Sequence, residues 1–412
     1  MTGDTDYPRK AWSILLFLAG DNDMDPFARL DLKEMQALPS DEHVHVIVQF
    51  DSRESVTYRY RIVPGEALVV GELGEVNTGD PASLTEFVRW GKAHFPAERT
   101  ALIIWNHGIG FRDLPPDFDY SGLRSAGRDR VREALRHALF RSTLRRLADA
   151  RPRMRGVAID ATDRDFLDNA ELRAALDALP GPGHRVDLVC FDACLMSTVE
   201  IAYQLRGMAR YMVASQETET GAGLPYHRIL GALAAHPEMS AADLARAIVT
   251  HFAEAAGFRM RGFGAEPYFT QSALDLDQVG ATYGYVQALV ERMNTPGVAR
   301  HAQVRRALAG RGDRPTRFAD RDMVDLAGWC EELYLGTKGR AGQPFRDALV
   351  ALRDHLQPGN GLVVANRAHG GRDASGIHGV SIYWPQEAYS AVYDELDFAT
   401  SGWGRLISAF SG

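Results

Sequence analysis

The sequence predicts an α/β protein: a mostly parallel sheet with helices on both faces. Short apolar runs alternate with helical hydrophobic patterns through the first half of the chain, the order that strand–helix–strand crossovers produce. The run VDLVCF is apolar and short enough for a strand buried on both faces. No internal repeat and no low-complexity linker interrupts the pattern.

In chain order, WSILLFLA (12–19) has the length of a central strand and is followed by an amphipathic helix over about 26–37. VHVIVQFD (44–51) is the next strand, followed by a hairpin-like segment around YRYRIV. A helix near 83–94 leads into the strand TALIIWN (100–106). VAID (157–160), a helix near 169–178 and the strand VDLVCFD (186–192) come next. Leu195, Val199, Ala202 and Leu205 recur at helical spacing, so a helix is expected over 195–205, before YMVAS (211–215). From about residue 240 helices dominate, with strands returning at FTQSALDL (269–276) and GVSIYW (379–384).

A chain of 412 residues suits one large α/β domain and a second, smaller unit, divided here as 1–240 and 241–412. The net charge of -8 gives no footing for a nucleic-acid or anionic-membrane partner. Three cysteines cannot all pair, which favours a reducing compartment. The first apolar run leads into GDNDMDP rather than a small-residue cleavage site, so it reads as a strand and not as a signal peptide. No run reaches the roughly 18 apolar residues of a membrane helix. A cytoplasmic protein is therefore expected.

Residues 112–156 depart from the pattern, with eleven arginines between Arg124 and Arg155. They suit either a solvated helical insertion or an exposed processing segment, since inserted loops are where nicking concentrates.

The chemistry-bearing candidates lie at strand ends. Cys190 falls inside a buried strand and Cys330 on the stripe Met323, Leu326, Ala327, Cys330, Leu333, so both read as core. Cys194 stands where a strand passes into a helix, and a helix start favours the thiolate. It is either an unused helix-start cysteine or a nucleophile, and a nucleophilic thiol needs a base. Among thirteen histidines, His107, His369 and His378 precede glycine, and His107 closes the strand ALIIWN. Neighbouring parallel strands end on one side, so His107 and Cys194 can face each other. The N–H groups of Gly108 and Cys194 then form a candidate oxyanion hole. Asp192, two residues before Cys194, is either a helix N-cap or a carboxylate aimed into the same cleft, where it suits a guanidinium.

Other chemistries find little footing. GDNDMDP (20–26) resembles a calcium loop but has Pro26 at loop position six and Leu32 at position twelve, and Asp25 reads as a helix N-cap with Pro26 at the first helical position. A zinc site is not expected, because there is neither HExxH nor paired CxxC. Walker A, dinucleotide and GxSxG motifs are missing too.

WNHGIGF and VDLVCFDACLMSTVEIAYQL together resemble the clostripain family of cysteine peptidases, within the caspase-like clan. LFLAGDNDMDPFARLDLKEM, LTEFVRWGKAHFPAERTALIIWNHG, AIDATDRDFLDNAELRAAL, YMVASQETE, FTQSALDLDQV, RDMVDLAGWCEEL and GVSIYWP extend the resemblance along the chain. It implies a caspase-like catalytic domain over 1–240 and a mainly helical C-terminal subdomain over 241–412. It also implies a His107–Cys194 dyad without an obligatory third member, and selection of arginine or lysine by Asp192. Glu217 and Glu219 are candidates for a second pocket carboxylate. Zymogen activation by cutting between histidine and cysteine is implied as well, with Arg145, Arg146, Arg151, Arg153 and Arg155 as candidate cleavage points. The cut is made by the enzyme itself or by an upstream activating protease. No cofactor is required by this chemistry, and Ca2+ is a further candidate because similar enzymes depend on it. The loop SQETETGAGLPY departs from the family pattern, and secreted family members carry export signals not seen here.

The expected function is an intracellular endopeptidase acting on proteins or peptides with arginine before the scissile bond, placed as an effector of bacterial stress or antiviral defence. The rivals are a non-catalytic caspase-like scaffold and a small-peptide hydrolase or transpeptidase.

Overall fold

The computed structural model describes residues 7–54, 56–108, 110–111, 156–179, 185–219, 223–262, 269–293, 315–337, 342–369, 374–386 and 388–410. The arginine-rich stretch, with Arg145, Arg146, Arg151, Arg153 and Arg155, lies outside them.

Strand β1 (Lys10–Gly20) leads to helix α1 (Asp25–Met35), β2 (Val44–Ser52) and the hairpin of β3 (Val56–Val63) and β4 (Glu66–Gly74). The hairpin turns at Gly65, whose φ of 81° suits glycine. Helix α2 (Pro81–His94) is capped by the Asp80 side chain and enters β5 (Ala97–Trp105). Next come β6 (Val157–Asp160), β7 (Asp165–Leu167), α3 (Asn169–Asp177), β8 (Val186–Asp192), α4 (Val199–Gln204), β9 (Ala209–Ala214), α5 (Tyr226–Ala235) and α6 (Ala241–Gly262). Then follow β10 (Phe269–Asp275), α7 (Val279–Met293), β11 (Met323–Asp325), α8 (Leu326–Gly336), α9 (Gln343–His355), β12 (Val363–His369), β13 (Ser381–Tyr383) and α10 (Trp403–Phe410).

Nine strands form one sheet in the order β12-β10-β9-β8-β5-β1-β2-β3-β4. The five in the middle, β9 to β2, are parallel, and the outer two on each side are antiparallel. Strand β1 shows why the middle is mostly apolar. Its Leu15, Phe17 and Ala19 enter one core, while Trp12, Ile14, Leu16 and Leu18 enter the other. Each fully buried side chain of this size contributes about 1.5–3 kcal/mol. The first core packs on α2, α3, α4 and the helices after β10; the second packs on α1, α5 and α6. Strands β10 and β12, both beyond residue 240, belong to the same sheet as β1.

Four local expectations need correction. VAID pairs with β7 in a separate two-stranded ribbon, not in the main sheet. GVSIYW contributes β13, which pairs with β11, so Met323 is on a strand and precedes the helix that carries Cys330. Asp25 is the first residue of α1 and bonds Arg29 (2.8 Å); Met24 holds the cap position. The helix expected over 195–205 begins only at Val199, capped by Thr198. Cys190 and Cys330 are buried, as their patterns required.

Candidate active site

Sheet register brings the site together. Trp105 of β5 pairs with Asp192 of β8, so His107 and Cys194 each lie two residues beyond a matched pair. The Asn106 N–H donates to the Asp192 carbonyl (3.3 Å) and continues the ladder past the strand ends. Gly108 is packed on the Cys194 backbone: a Cβ there would stand 2.3 Å from the Cys194 carbonyl oxygen and 2.9 Å from its nitrogen. No other residue type fits that approach.

After Cys194 the chain turns sharply. Leu195 is left-handed (φ 62°), a conformation that costs a residue with a Cβ about 1–2 kcal/mol. Two bonds to the segment after β9 hold the turn: Leu195 N–H to Glu217 carbonyl (3.2 Å) and Ser197 N–H to Ser215 carbonyl (2.8 Å). Helix α4 is only six residues long and starts five residues after Cys194, so its dipole is not what serves the thiol. Instead the backbone N–H of Glu219 donates to Cys194 Sγ (3.2 Å). Cys194 is partly exposed, unlike the other two cysteines.

Asp192 is 5% exposed and is not the cap of the helix that follows it, a position Thr198 holds. Its Oδ2 accepts from the Leu224 N–H (3.2 Å) and the Tyr226 hydroxyl (2.8 Å). Gly223, at φ 52°, passes so close that a Cβ would be 3.0 Å from Oδ2. The Glu219 carboxyl meets that of Asp192, and its Oε1 also accepts from Gln271 Nε2 of β10 (3.2 Å). Burial pushes both acids up, and the charge of Asp192 adds to the effect on Glu219. Among the described residues, its hydrogen bonds hold Glu217 elsewhere. Both its oxygens accept from the Ala319 N–H (3.1 Å each), and one also accepts from the Thr218 N–H (2.9 Å). Its carboxylate ties the post-β9 segment to the C-terminal half.

Strand β1 flanks β5 on the side away from β8, with Leu18 opposite Trp105. The loop after β1 therefore runs beside His107, and Asp23 Oδ1 lies 2.8 Å from His107 Nε2. Nothing in GDNDMDP singles out Asp23 among its three aspartates; only the strand order does. Of the other two glycine-preceding histidines, His378 bonds Asp325 through Nδ1 (2.8 Å) and His369 ends β12.

Asp21, Asp51, Glu75 and Asp160 bring carboxylate oxygens within 4.8 Å of one another near the same sheet edge. Burial pushes Asp51 up to about 8 and Asp160 to about 7, against hydrogen bonds that work the other way. All-oxygen donors suit a hard cation such as calcium. Protein donors also serve them: the Thr57 hydroxyl to Asp51 (2.8 Å), Thr78 N–H to Asp160 (3.0 Å) and Thr162 N–H to Asp21 (3.0 Å).

A mostly parallel sheet with a histidine and a cysteine at adjoining strand ends defines an α/β protein of the caspase-like class. The fold agrees with a secreted C11 cysteine protease from Bacteroides thetaiotaomicron bound to an irreversible peptide inhibitor. That match has a TM-score of 0.65 and 18% identity, over 95% of this chain and 99% of that one. An inactive zymogen C11 protease from Parabacteroides distasonis matches with a TM-score of 0.63 and 16% identity, over 96% and 99%. At such identities the likeness is one of fold.

The sequence profile of the clostripain family matches residues 16–129 and 145–327, and the chain belongs to that family. Clostripain of Hathewaya histolytica is 30% identical over 160 residues, 38% of this chain. The matched part spans only 24% of clostripain's own length.

Proposed function

We propose that the protein is a cysteine endopeptidase that cleaves after arginine, with Cys194 as nucleophile and His107 as its acid–base partner. The arginine preference is carried by the Asp192–Glu219 pair. Two carboxyls meet in a covered site, and among the described residues no salt bridge reaches either of them. A guanidinium, planar and with five N–H donors, supplies the charge and the hydrogen bonds the pair lacks. Lysine fits less well, bringing the charge without the fork.

The reaction follows from the groups present. The thiol proton passes to His107 as Sγ attacks the scissile carbonyl carbon, and the C=O electron pair moves onto oxygen. The N–H groups of Gly108 and Cys194 stabilise that oxyanion. Collapse breaks the C–N bond, and His107 returns its proton to the leaving amine. Water then loses a proton to His107, attacks the thioester and releases the acid as Sγ recovers its proton. The N–H of Glu219 favours the thiolate at the start and the end of the cycle. No step needs a metal, so turnover is expected to be equal with calcium and with chelator. Calcium-dependent turnover would turn attention to the four-carboxylate cluster.

Activation belongs in 112–156. Val157 bridges Gly108, and the Ile159 carbonyl accepts from the side chains of Asn22 and Asn106. A new chain end at Arg151, Arg153 or Arg155 would lie within a few residues of these contacts; Arg145 and Arg146 are earlier choices. The enzyme meets its own preference in this stretch, and an upstream protease is the other agent. A latent form suits a cytoplasmic effector of stress or antiviral defence. No helix among the described residues is long and apolar enough to cross a membrane.

Fluorogenic peptides ending in Arg, Lys, Asp or Asn test the proposal, using wild type and Cys194→Ala before and after limited trypsin nicking. Arginine-selective turnover, lost in the variant and raised by nicking, is expected. Full turnover by the intact chain would reject latency. Equal turnover in Cys194→Ala would reject the nucleophile, and no turnover from nicked wild type would favour a scaffold. Aminolysis products in the presence of added amines would mark a transpeptidase.

A further inference from the structure

Resting on the cysteine peptidase reading, we propose that Asp23 is a positioning residue that fixes the ring of His107, adding a third member to the pair. His107 Nε2 and Asp23 Oδ1 are 2.8 Å apart, and the two side chains are only 12% and 7% exposed. A carboxylate can only accept, so Nε2 carries the proton and the Nδ1 lone pair is the one turned to other work. When Nδ1 takes the thiol proton, the imidazolium that forms is already beside a fixed negative charge. Asp23 keeps its charge throughout and exchanges no proton with substrate.

The loop is built to hold that carboxylate still. Asn22, next to Asp23, donates through Nδ2 to the Ala19 carbonyl (3.0 Å) and the Ile159 carbonyl (2.8 Å). Its Oδ1 accepts from the Met24 N–H (2.8 Å), closing the loop on the other side of Asp23. The Ala161 and Thr162 N–H groups donate to the Asp21 carbonyl (2.8 Å) and carboxylate (3.0 Å). Asp23 thus stands between two anchored residues, on a loop tied to the ribbon that follows the arginine-rich stretch. A carboxylate needed only for solubility would not need such restraint.

Asp23→Asn, Asp23→Ala and Asp23→Glu in the full chain test this. Two rates are read: turnover of an arginine peptide after nicking, and alkylation of Cys194 by iodoacetamide at pH 7, followed by intact mass. In Asp23→Asn, kcat is expected to fall about 10- to 100-fold with KM within about twofold, a part of what general acid–base catalysis contributes. Alkylation should slow in parallel, and Asp23→Glu should recover part of both.

Wild-type kcat and wild-type alkylation in Asp23→Asn and Asp23→Ala would overturn the proposal. If wild type cleaves no peptide, the peptidase reading fails, yet the alkylation rates still decide the role of Asp23. If the variants do not fold, nitrogen NMR of the wild-type ring decides. A neutral His107 protonated on Nε2 supports the positioning role, and one protonated on Nδ1 overturns it.

Discussion

The two sides of the site adjoin at one sheet edge and are built on opposite electrostatic principles. On the histidine side an imidazole meets a single carboxylate: His107 faces Asp23, and the surrounding loop is hydrogen-bonded to the Val157–Asp160 ribbon. On the other side, Asp192 meets a second acid, Glu219, and the donors to them among the described residues are neutral: Leu224 N–H, the Tyr226 hydroxyl and Gln271. Among the described residues, one region pairs an imidazole with a carboxylate and the other pairs two carboxyls. The proposed arginine preference rests on this difference between the two pairs.

Asp192→Asn should give the largest separation between the two regions. Losing one partner of a buried, hydrogen-bonded charge pair costs about 2–5 kcal/mol, or roughly 30- to 4000-fold in kcat/KM for arginine peptides. Alkylation of Cys194 should change little, because the thiol and His107 are left in place. Retained arginine selectivity, or an equal loss in both assays, would dissolve the distinction.

A smaller effect should appear in pH dependence. Burial, reinforced by Asp192, lifts Glu219 well above its ordinary value, and burial lifts Asp192, so the free pair is expected to hold a proton to higher pH than isolated carboxyls do. Binding a guanidinium expels that proton, so KM should fall as pH rises, by up to about tenfold per unit. Glu219→Gln should flatten the slope. The stability sign is the converse. With folded pKa values above the unfolded ones, the pair's contribution is fully present below about pH 4 and is lost as pH rises through the pair's folded range. Glu219→Gln should therefore melt higher than wild type at pH 8 but not at pH 4. A melting difference that does not change with pH would refute the shared proton.

Glu217→Gln should be the mildest change and should touch stability alone. It weakens the carboxylate's bonds to the Ala319 and Thr218 N–H groups, worth about 1–3 kcal/mol when a buried partner is lost. Thermal denaturation should show a drop of a few degrees, with the arginine-to-lysine preference unchanged. A changed preference would place Glu217 in the pocket after all.

Most of the parallel strands were legible because strands buried on both faces must be largely apolar, and β1, β2, β5 and β8 are, with a few buried polar residues such as Ser13, His45 and Gln49. The outer elements were less so. The 195–205 pattern has helical spacing, yet helix formation is delayed to Val199 because the left-handed turn at Leu195 is bonded to Ser215 and Glu217. VAID has the composition of a main-sheet strand but pairs in a ribbon, a choice made by contacts with Asn22 and Asn106 rather than by its own residues.

The sequence by itself determined the positions of His107 and Cys194 just beyond the ends of two strands and the place of Asp192 two residues before Cys194. These follow from local periodicity and from neighbours two residues apart. The tertiary structure alone decided which carboxylates serve them. Asp23 reaches His107 across 84 positions because β1 lies beside β5, and Glu219 rather than Glu217 meets Asp192 because Ala319 claims the other. Local patterns set how a segment folds, but the partner of a buried charge depends on strand order and register, which no single segment contains.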